Sequence, residues 1–161
     1  MTDPAADLPN LTTETAIDAA AVARVVETAF GPGRYAKTAE RLRENSRPQV
    51  GFVMRAKARV VGSVRLWPVW IGETSATFLG PIAVDRDWRE AGLGATLVAA
   101  CISWSEERGV PGLLLVGDPP FFGRFGFRRI ENVALPGPVD PARLLWLSLD
   151  GTTPTGPVRR G

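Results

Sequence analysis

The chain has 161 residues, 45% of them apolar and 22% charged, and a formal charge of +2. These values suit one globular domain with a full core, and with no membrane-length apolar run and no basic block they give no reason to expect nucleic acid or a membrane as partner. One cysteine (Cys101) and no histidine exclude an internal disulfide and a cysteine-rich metal site and remove the commonest general base, so no metal is expected and proton transfer falls to carboxylates, Lys, Tyr35, Cys101, main chain or water.

Residues 1–10 read as a frayed polar leader with Pro4 and Pro9. The lack of a signal-peptide pattern points to the cytoplasm. Thr15-Ala16-Ile17-Asp18 has the form of a capping box with Asp in the Glu position. The helix after it puts Ile17, Ala21, Val25 and Ala29 on one stripe, with Val22 and Val26 beside it. Gly31-Pro32-Gly33 ends that helix, and Ala36 to Glu44 reads as a short second one. Three strands follow over 49–54, 60–70 and 74–84. Their short turns at 56–59 and 71–73 make neighbours antiparallel. Pro68 predicts an edge or a bulge in the second strand.

Arg89-Glu90-Ala91-Gly92-Leu93-Gly94 then opens a helix that runs to about Arg108. The first-turn amides of a helix have no partner inside it and carry the positive end of its dipole, and glycine lets an anion approach the backbone. The hexapeptide therefore reads as a phosphate cradle. The stripe Leu93, Leu97, Ala100, Cys101 and Trp104 makes Cys101 a core residue. Gly109 to Gly112 breaks the helix, and Leu113 to Val116 is a buried strand, which makes a right-handed crossover between parallel strands the expected connection. Asp118-Pro119-Pro120 caps a short helix that leads through Phe121, Phe122 and Arg124 to a strand over 127–133. After the loop Pro136-Gly137-Pro138 comes a final strand over 144–149, and Gly151 to Gly161 reads as a loose tail. The fold class is α+β: one domain over 1–161 with a mixed sheet, antiparallel early and locally parallel at the crossover.

The order of a strand ending Ile82-Ala83-Val84, then Arg-x-x-Gly-x-Gly, helix, strand, and Phe121-Phe122-Gly123-Arg124-Phe125-Gly126-Phe127 resembles the GNAT superfamily of N-acetyltransferases. It is most similar to the YhbS-like branch, in which a Leu-Val-Gly-Asp-Pro strand end (here Leu115 to Pro119) precedes an aromatic Gly-Phe segment. The resemblance covers roughly Thr12 to Leu149. It implies a central sheet splayed at its parallel pair, helices on both faces, and acetyl-CoA as co-substrate. It further implies that the amides of Ala91, Gly92, Leu93, Gly94 and Ala95 hold the pyrophosphate, with Arg89 and Glu90 in the loop. Pantetheine would pair with the edge of Ile82, Ala83 and Val84, because its amides mimic a peptide. Asp118, Phe121, Phe122 and Arg124 would line the far side. Arg34, Tyr35, Trp67 and Trp70 are candidate acceptor contacts, each with a packing or surface reading beside it. Arg34, Lys37 and Arg41 have a further reading as anion attractors, against that of a solvated face.

Two positions depart from the family pattern. Many members carry a tyrosine where this chain has Phe122, and some lysine-acetylating members carry a glutamate where it has Phe78. A thiol with a pKa near ~8.5 leaves as thiolate without help close to neutral pH. The amine is harder: at pH 7 a lysine-like group (pKa ~10.4) is neutral in only about one molecule in 2,500, against about one in five to ten for an α-amino group. The expected activity is direct acetyl transfer to a small-molecule or protein amine, favouring low-pKa amines or alkaline pH. Glu73, Asp118 or Tyr35, working through water, are open as bases. The rivals are an acyltransferase with a longer chain in an apolar channel at Phe78 and Phe122, and a non-catalytic CoA-binding module. A Rossmann-type binder fits poorly, since the strands before the loop read as antiparallel. A homodimer through the last strand or exposed tryptophans is a further expectation.

Overall fold

The computed structural model describes residues 8–31, 38–44 and 46–161. Its organising element is a 13-residue strand, β3 (Arg59–Ile71), with neighbours along both edges. On one edge β2 (Val50–Ala56) pairs with residues 59–66, and β10 (Gly156–Arg160) takes over at residues 69–71. On the other edge β4 (Thr74–Leu79) pairs with residues 66–71, and β5 (Ala83–Val84) with Gly62 and Ser63. All four pairings are antiparallel. Pro68 falls between the end of β2 and the start of β10, where the ladder needs no donor from it. It marks a junction inside the sheet, whereas the sequence pointed to an edge or bulge.

The single third strand expected over 74–84 is two strands. Between the pairs Leu66–Leu79 and Ser63–Ala83, two residues of β3 face three residues, Gly80, Pro81 and Ile82. This is a bulge of one extra residue, which bends its strand out of register. Gly80 has a φ of 135°, a conformation that only glycine adopts without strain. Its amide donates to the Arg65 carbonyl (2.9 Å), and its carbonyl accepts from the Trp67 indole.

The antiparallel part extends at one end to β1 (Asn10–Thr13), paired with β2, so the expected leader already contains a strand at its last residue. After β5 a 3-10 turn (Arg86–Ala91) leads into α2 (Leu93–Glu107), and β6 (Gly112–Val116) returns parallel to β4. A short helix, α3 (Pro119–Gly123), then leads to β7 (Arg128–Arg129), and β9 (Leu144–Ser148) pairs with both β6 and β7. The strand expected over 127–133 is divided, because β8 (Val133–Ala134) leaves β7 to pair parallel with β10. The expected tail is therefore a sheet strand over 156–160, with Val158 buried at 4% exposure.

The helices cover opposite faces. The first, α1 (Ala19–Phe30), packs Val22, Val25 and Val26 against Val53, Val60 and Ala83. α2 packs Leu93, Leu97, Val98 and Cys101 against Met54, Val64 and Leu66. Val53 and Met54 are consecutive in β2, so they point to different faces. The capping box forms: the Asp18 carboxylate accepts from the Thr15 amide at 2.9 Å. The stripe runs through Val22, Val25 and Val26, and Ile17 is 93% exposed, because residues 16–18 form a 3-10 turn whose different period rotates Ile17 off the α-helical face. The second helix is described only as a 3-10 turn, Thr38–Leu42.

Candidate active site

The site begins where two parallel strands part. β4 and β6 are joined at only two positions, Thr77–Leu113 and Phe78–Leu114. The bulge at 80–82 then carries one strand away, while Leu115 and Val116 continue along β9. The gap is a cavity of about 740 Å³, walled by Phe78 to Ile82 on one side and by Leu115 to Asp118 and Phe122 on the other. Its remaining wall comes from Phe30, Thr38, Ala39 and Arg43 and from Pro138, Val139, Asp140 and Arg143. Two bonds tie these segments together: Thr38 Oγ1 donates to the Pro138 carbonyl, and Arg41 Nη1 to that of Pro136. The Pro136-Gly137-Pro138 loop is thus a wall of the cleft as well as a connection.

The expected site residues fall into distinct places. β5 pairs with β3 on one side and, among the described residues, with no strand on the other. Ile82, just before β5, lines the cavity, while the Ala83 side chain is buried under α1. Beyond it the 3-10 turn is exposed through Arg89, Glu90 and Ala91, and Gly92 takes a left-handed φ of 76°. The first ladder bond of α2 runs from Thr96 to Gly92 (3.2 Å), so the amides of Leu93, Gly94 and Ala95 precede the ladder. The Leu93 side chain belongs to the core.

This turn is not part of the cavity wall, but Phe121 connects the two. Its ring lies 3.4 Å from where a Cβ on Gly94 would stand, and it meets Phe122 edge-on at 4.8 Å. Arg124 stacks over Phe121 at 4.8 Å. Asp118 accepts from the Phe121 amide (3.3 Å), the helix cap its sequence context indicates. The ring of Phe122 occupies the space of a missing side chain at Gly117.

Trp67 and Trp70 part company. Trp67 is buried, with its indole on the Gly80 carbonyl, and Trp70 is an exposed residue beneath Arg159, outside the cavity wall. Arg34, Tyr35 and Lys37 lie outside the described residues. Glu73 sits in the turn between β3 and β4 and lines neither the large cavity nor the smaller one described next. Cys101 is buried, which pushes its thiol up to about 12.

The sequence reading missed Glu40, Arg43 and Ser63. Arg43 binds Glu40 through Nε (3.2 Å) and Nη2 (2.8 Å), an i, i+3 pair whose spacing was visible in the chain. Both line a second cavity of about 130 Å³, together with Ser63, Arg65 and Trp67 of β3 and Pro81.

The comparisons with known proteins agree with this geometry. Residues 20–127 match the model of the Acetyltransferase (GNAT) family. The chain belongs to the GNAT acetyltransferase family. This GNAT chain is 31% identical over 117 residues to the uncharacterized N-acetyltransferase YhbS of Escherichia coli K12, covering 71% of its own length and 70% of the relative's. The crystal structure of E. coli YhbS in complex with CoA superposes with a TM-score of 0.81 at 26% identity, over 100% of this chain and 93% of that one. A GNAT acetyltransferase from Brucella melitensis in complex with acetyl-CoA gives 0.77 at 25% identity, over 96% and 97%. The GNAT fold expected from the sequence, splayed at its parallel pair, is therefore borne out. Among the described residues no helix is long and apolar enough to cross a membrane, and no group of three or more His, Cys, Asp or Glu could hold a metal ion.

Proposed function

We propose that this chain transfers an acetyl group from acetyl-CoA to an amine, by direct attack of the amine on the thioester. The observation that carries the reading is the parting of β4 and β6, which opens a cleft of about 740 Å³ beside the start of α2. The YhbS and Brucella structures hold CoA and acetyl-CoA, and a shared fold supports a matching donor site here.

In this reading the free edge of β5 accepts the pantetheine amides as an added strand would. The first-turn amides of Leu93, Gly94 and Ala95 receive the pyrophosphate at the positive end of α2, with Arg89 alongside. The amide of Ile82, the last residue of the bulge, donates to the developing oxyanion. The only hydroxyl side chain in the described cleft wall, Thr38, is committed to the Pro138 carbonyl, and the wall's carboxylates, Asp118 and Asp140, each cap a helical turn, so the described wall supplies no activated nucleophile for a covalent intermediate. The acceptor enters from the side of Phe30, Arg43 and Asp140.

Two measurements test the reading. Calorimetric titration of the full chain with CoA should show binding. Thiol release from acetyl-CoA should then appear with at least one member of a panel of small primary amines and peptide α-amines between pH 7 and 9. Binding without turnover on every amine would leave a CoA-binding module in place of an enzyme. No binding would overturn both.

A further inference from the structure

The smaller cavity behind the bulge carries its own chemistry. Ser63 lies on its wall, is 1% exposed, and its Oγ has no hydrogen-bond partner among the described residues. A buried hydroxyl left without a partner is costly. The cavity, at about 130 Å³, is large enough for several waters. Its lining residues include the polar side chains from which a buried water draws two or more partners, namely Ser63, Glu40, Arg43 and Arg65. Arg43 and Pro81 are also walls of the large cleft, so the chamber adjoins the place where an acceptor amine meets the thioester.

The chain has phenylalanine at both positions where other family members carry proton handlers, and Phe78 is 1% exposed. The heaviest proton burden falls on the amine, because a protonated amine has no lone pair with which to attack. We infer that water held on Ser63 in this chamber carries the acceptor's ammonium proton to the Glu40 carboxylate. The inference rests on the proposed amine acetylation. An ammonium N–H bond breaks as a water O–H bond forms, and a water O–H bond breaks as the Glu40 carboxyl O–H forms. Glu40, with 13% of its side chain exposed, then releases the proton to solvent and is a carboxylate again. No electrons change hands. A hydroxyl suits the relay because it donates and accepts at once.

Among the described residues of the chamber wall, the charges beside Glu40 are Arg43 from its own turn and Arg65 from β3, the latter held by Glu14 at 3.0 Å. α1 presents only Val22, Ala23 and Val26 to the chamber. The rival carboxylates lie outside the chamber: Glu73 lines neither cavity, and Asp118 and Asp140 line only the large cleft.

The test uses the full chain, saturating acetyl-CoA, and two nucleophiles. One is the best amine of the panel above. The other is hydroxylamine, which is largely unprotonated at pH 7 and needs no base. Glu40→Gln should lower kcat/KM for the amine at pH 7 by about 100-fold or more, the scale of general-base catalysis. The loss should shrink towards pH 9.5, and the rate with hydroxylamine should stay within about twofold of wild type. Ser63→Ala should lower the amine rate about tenfold with the same pH signature. This second variant removes only an unpartnered hydroxyl, so its melting temperature should hold or rise. A crystal structure should place water within hydrogen-bond distance of Ser63 Oγ. Equal losses with both nucleophiles at every pH, no loss at all, or the pH signature in Asp118→Asn in place of Glu40→Gln would overturn the inference. Failure of wild type to turn over any amine would instead overturn the acetyl-transfer reading on which it stands.

Discussion

Replacing Trp67 by Phe tests how the cleft is held open. The indole N–H donates to the Gly80 carbonyl from a residue that is 6% exposed, and the Gly80 amide is fixed from the other side by Arg65. Phenylalanine keeps an aromatic ring in the core but deletes the donor. A buried acceptor left unpaired costs about 1–3 kcal/mol. Gly80 lines the large cleft, from which water can reach its carbonyl in the variant, and this limits the loss to about 1–2 kcal/mol. For a chain of this length that is a fall in melting temperature of roughly 2–8 °C. The functional effect should exceed the stability effect, because the bulge sets where the Ile82 amide points, and small misplacements at a reacting centre cost as much as ~100-fold. The assays are thermal unfolding and steady-state kinetics of thiol release. We expect kcat to fall at least about tenfold, with the KM for acetyl-CoA changed less than about threefold. A variant with wild-type melting and wild-type kcat would refute the claim that the indole holds the bulge.

Gly117→Ala drives a methyl group into the Phe122 ring, and overpacking of this kind costs about 1–3 kcal/mol; combining it with Phe122→Leu should recover part of the loss in urea unfolding, a coupling of roughly 0.5–3 kcal/mol. Cys101, raised to about 12 and buried, should resist alkylation by iodoacetamide at pH 8 in the native chain and react once urea unfolds it, as followed by mass spectrometry. Asp18 is held below the ordinary carboxyl range by its bond to Arg55 and then by the Thr15 amide. A lowered folded pKa adds stability above the unfolded value of about 3.8 that is lost as pH falls through the folded one. Asp18→Asn should therefore melt lower than wild type at pH 7, with the gap closing towards pH 2–3. Phe122→Tyr should raise turnover at most a few-fold at pH 7 and leave it unchanged at pH 9, where the departing thiol (pKa ~8.5) leaves without an acid.

The features legible in the sequence were those set by local chemistry. The Thr15–Asp18 box and the Asp118 cap each depend on a few neighbouring residues, and both form as read. β10 was not legible, because its Pro-, Gly- and Thr-rich approach has the composition of a tail, and what orders it is a partner 87 to 91 positions away in β3. The split of the 74–84 strand was hidden for a related reason. Pro81 marks a departure from the ladder, but only the register of β3 places three residues opposite two. Ile17 misled because the 3.6-residue period was carried one turn too far into the cap.

The donor and acceptor sides of the site differ in the same way, and for a chemical reason. Phosphates and pantetheine amides are met by backbone groups, whose positions follow from a glycine pattern at a helix start and from an edge left free by a bulge. Such a site can be read from a few residues in a row. An acceptor and its proton must be met by side chains, and those at the cleft and its adjoining chamber come from Arg43 in the 38–44 segment, Ser63 in β3 and Asp140 after β8, which nothing in their local sequence joins. Phe78 and Phe122 sharpen the point. Losing an acid at the thioester costs little, since a thiolate leaves readily, but losing a base at the amine leaves only about one lysine-like molecule in 2,500 competent at pH 7. Help for the reaction must therefore concentrate on the acceptor side. That is where the Glu40–Arg43 pair and the unpartnered Ser63 hydroxyl share one chamber, in a region of the fold that the glycine motif does not reach.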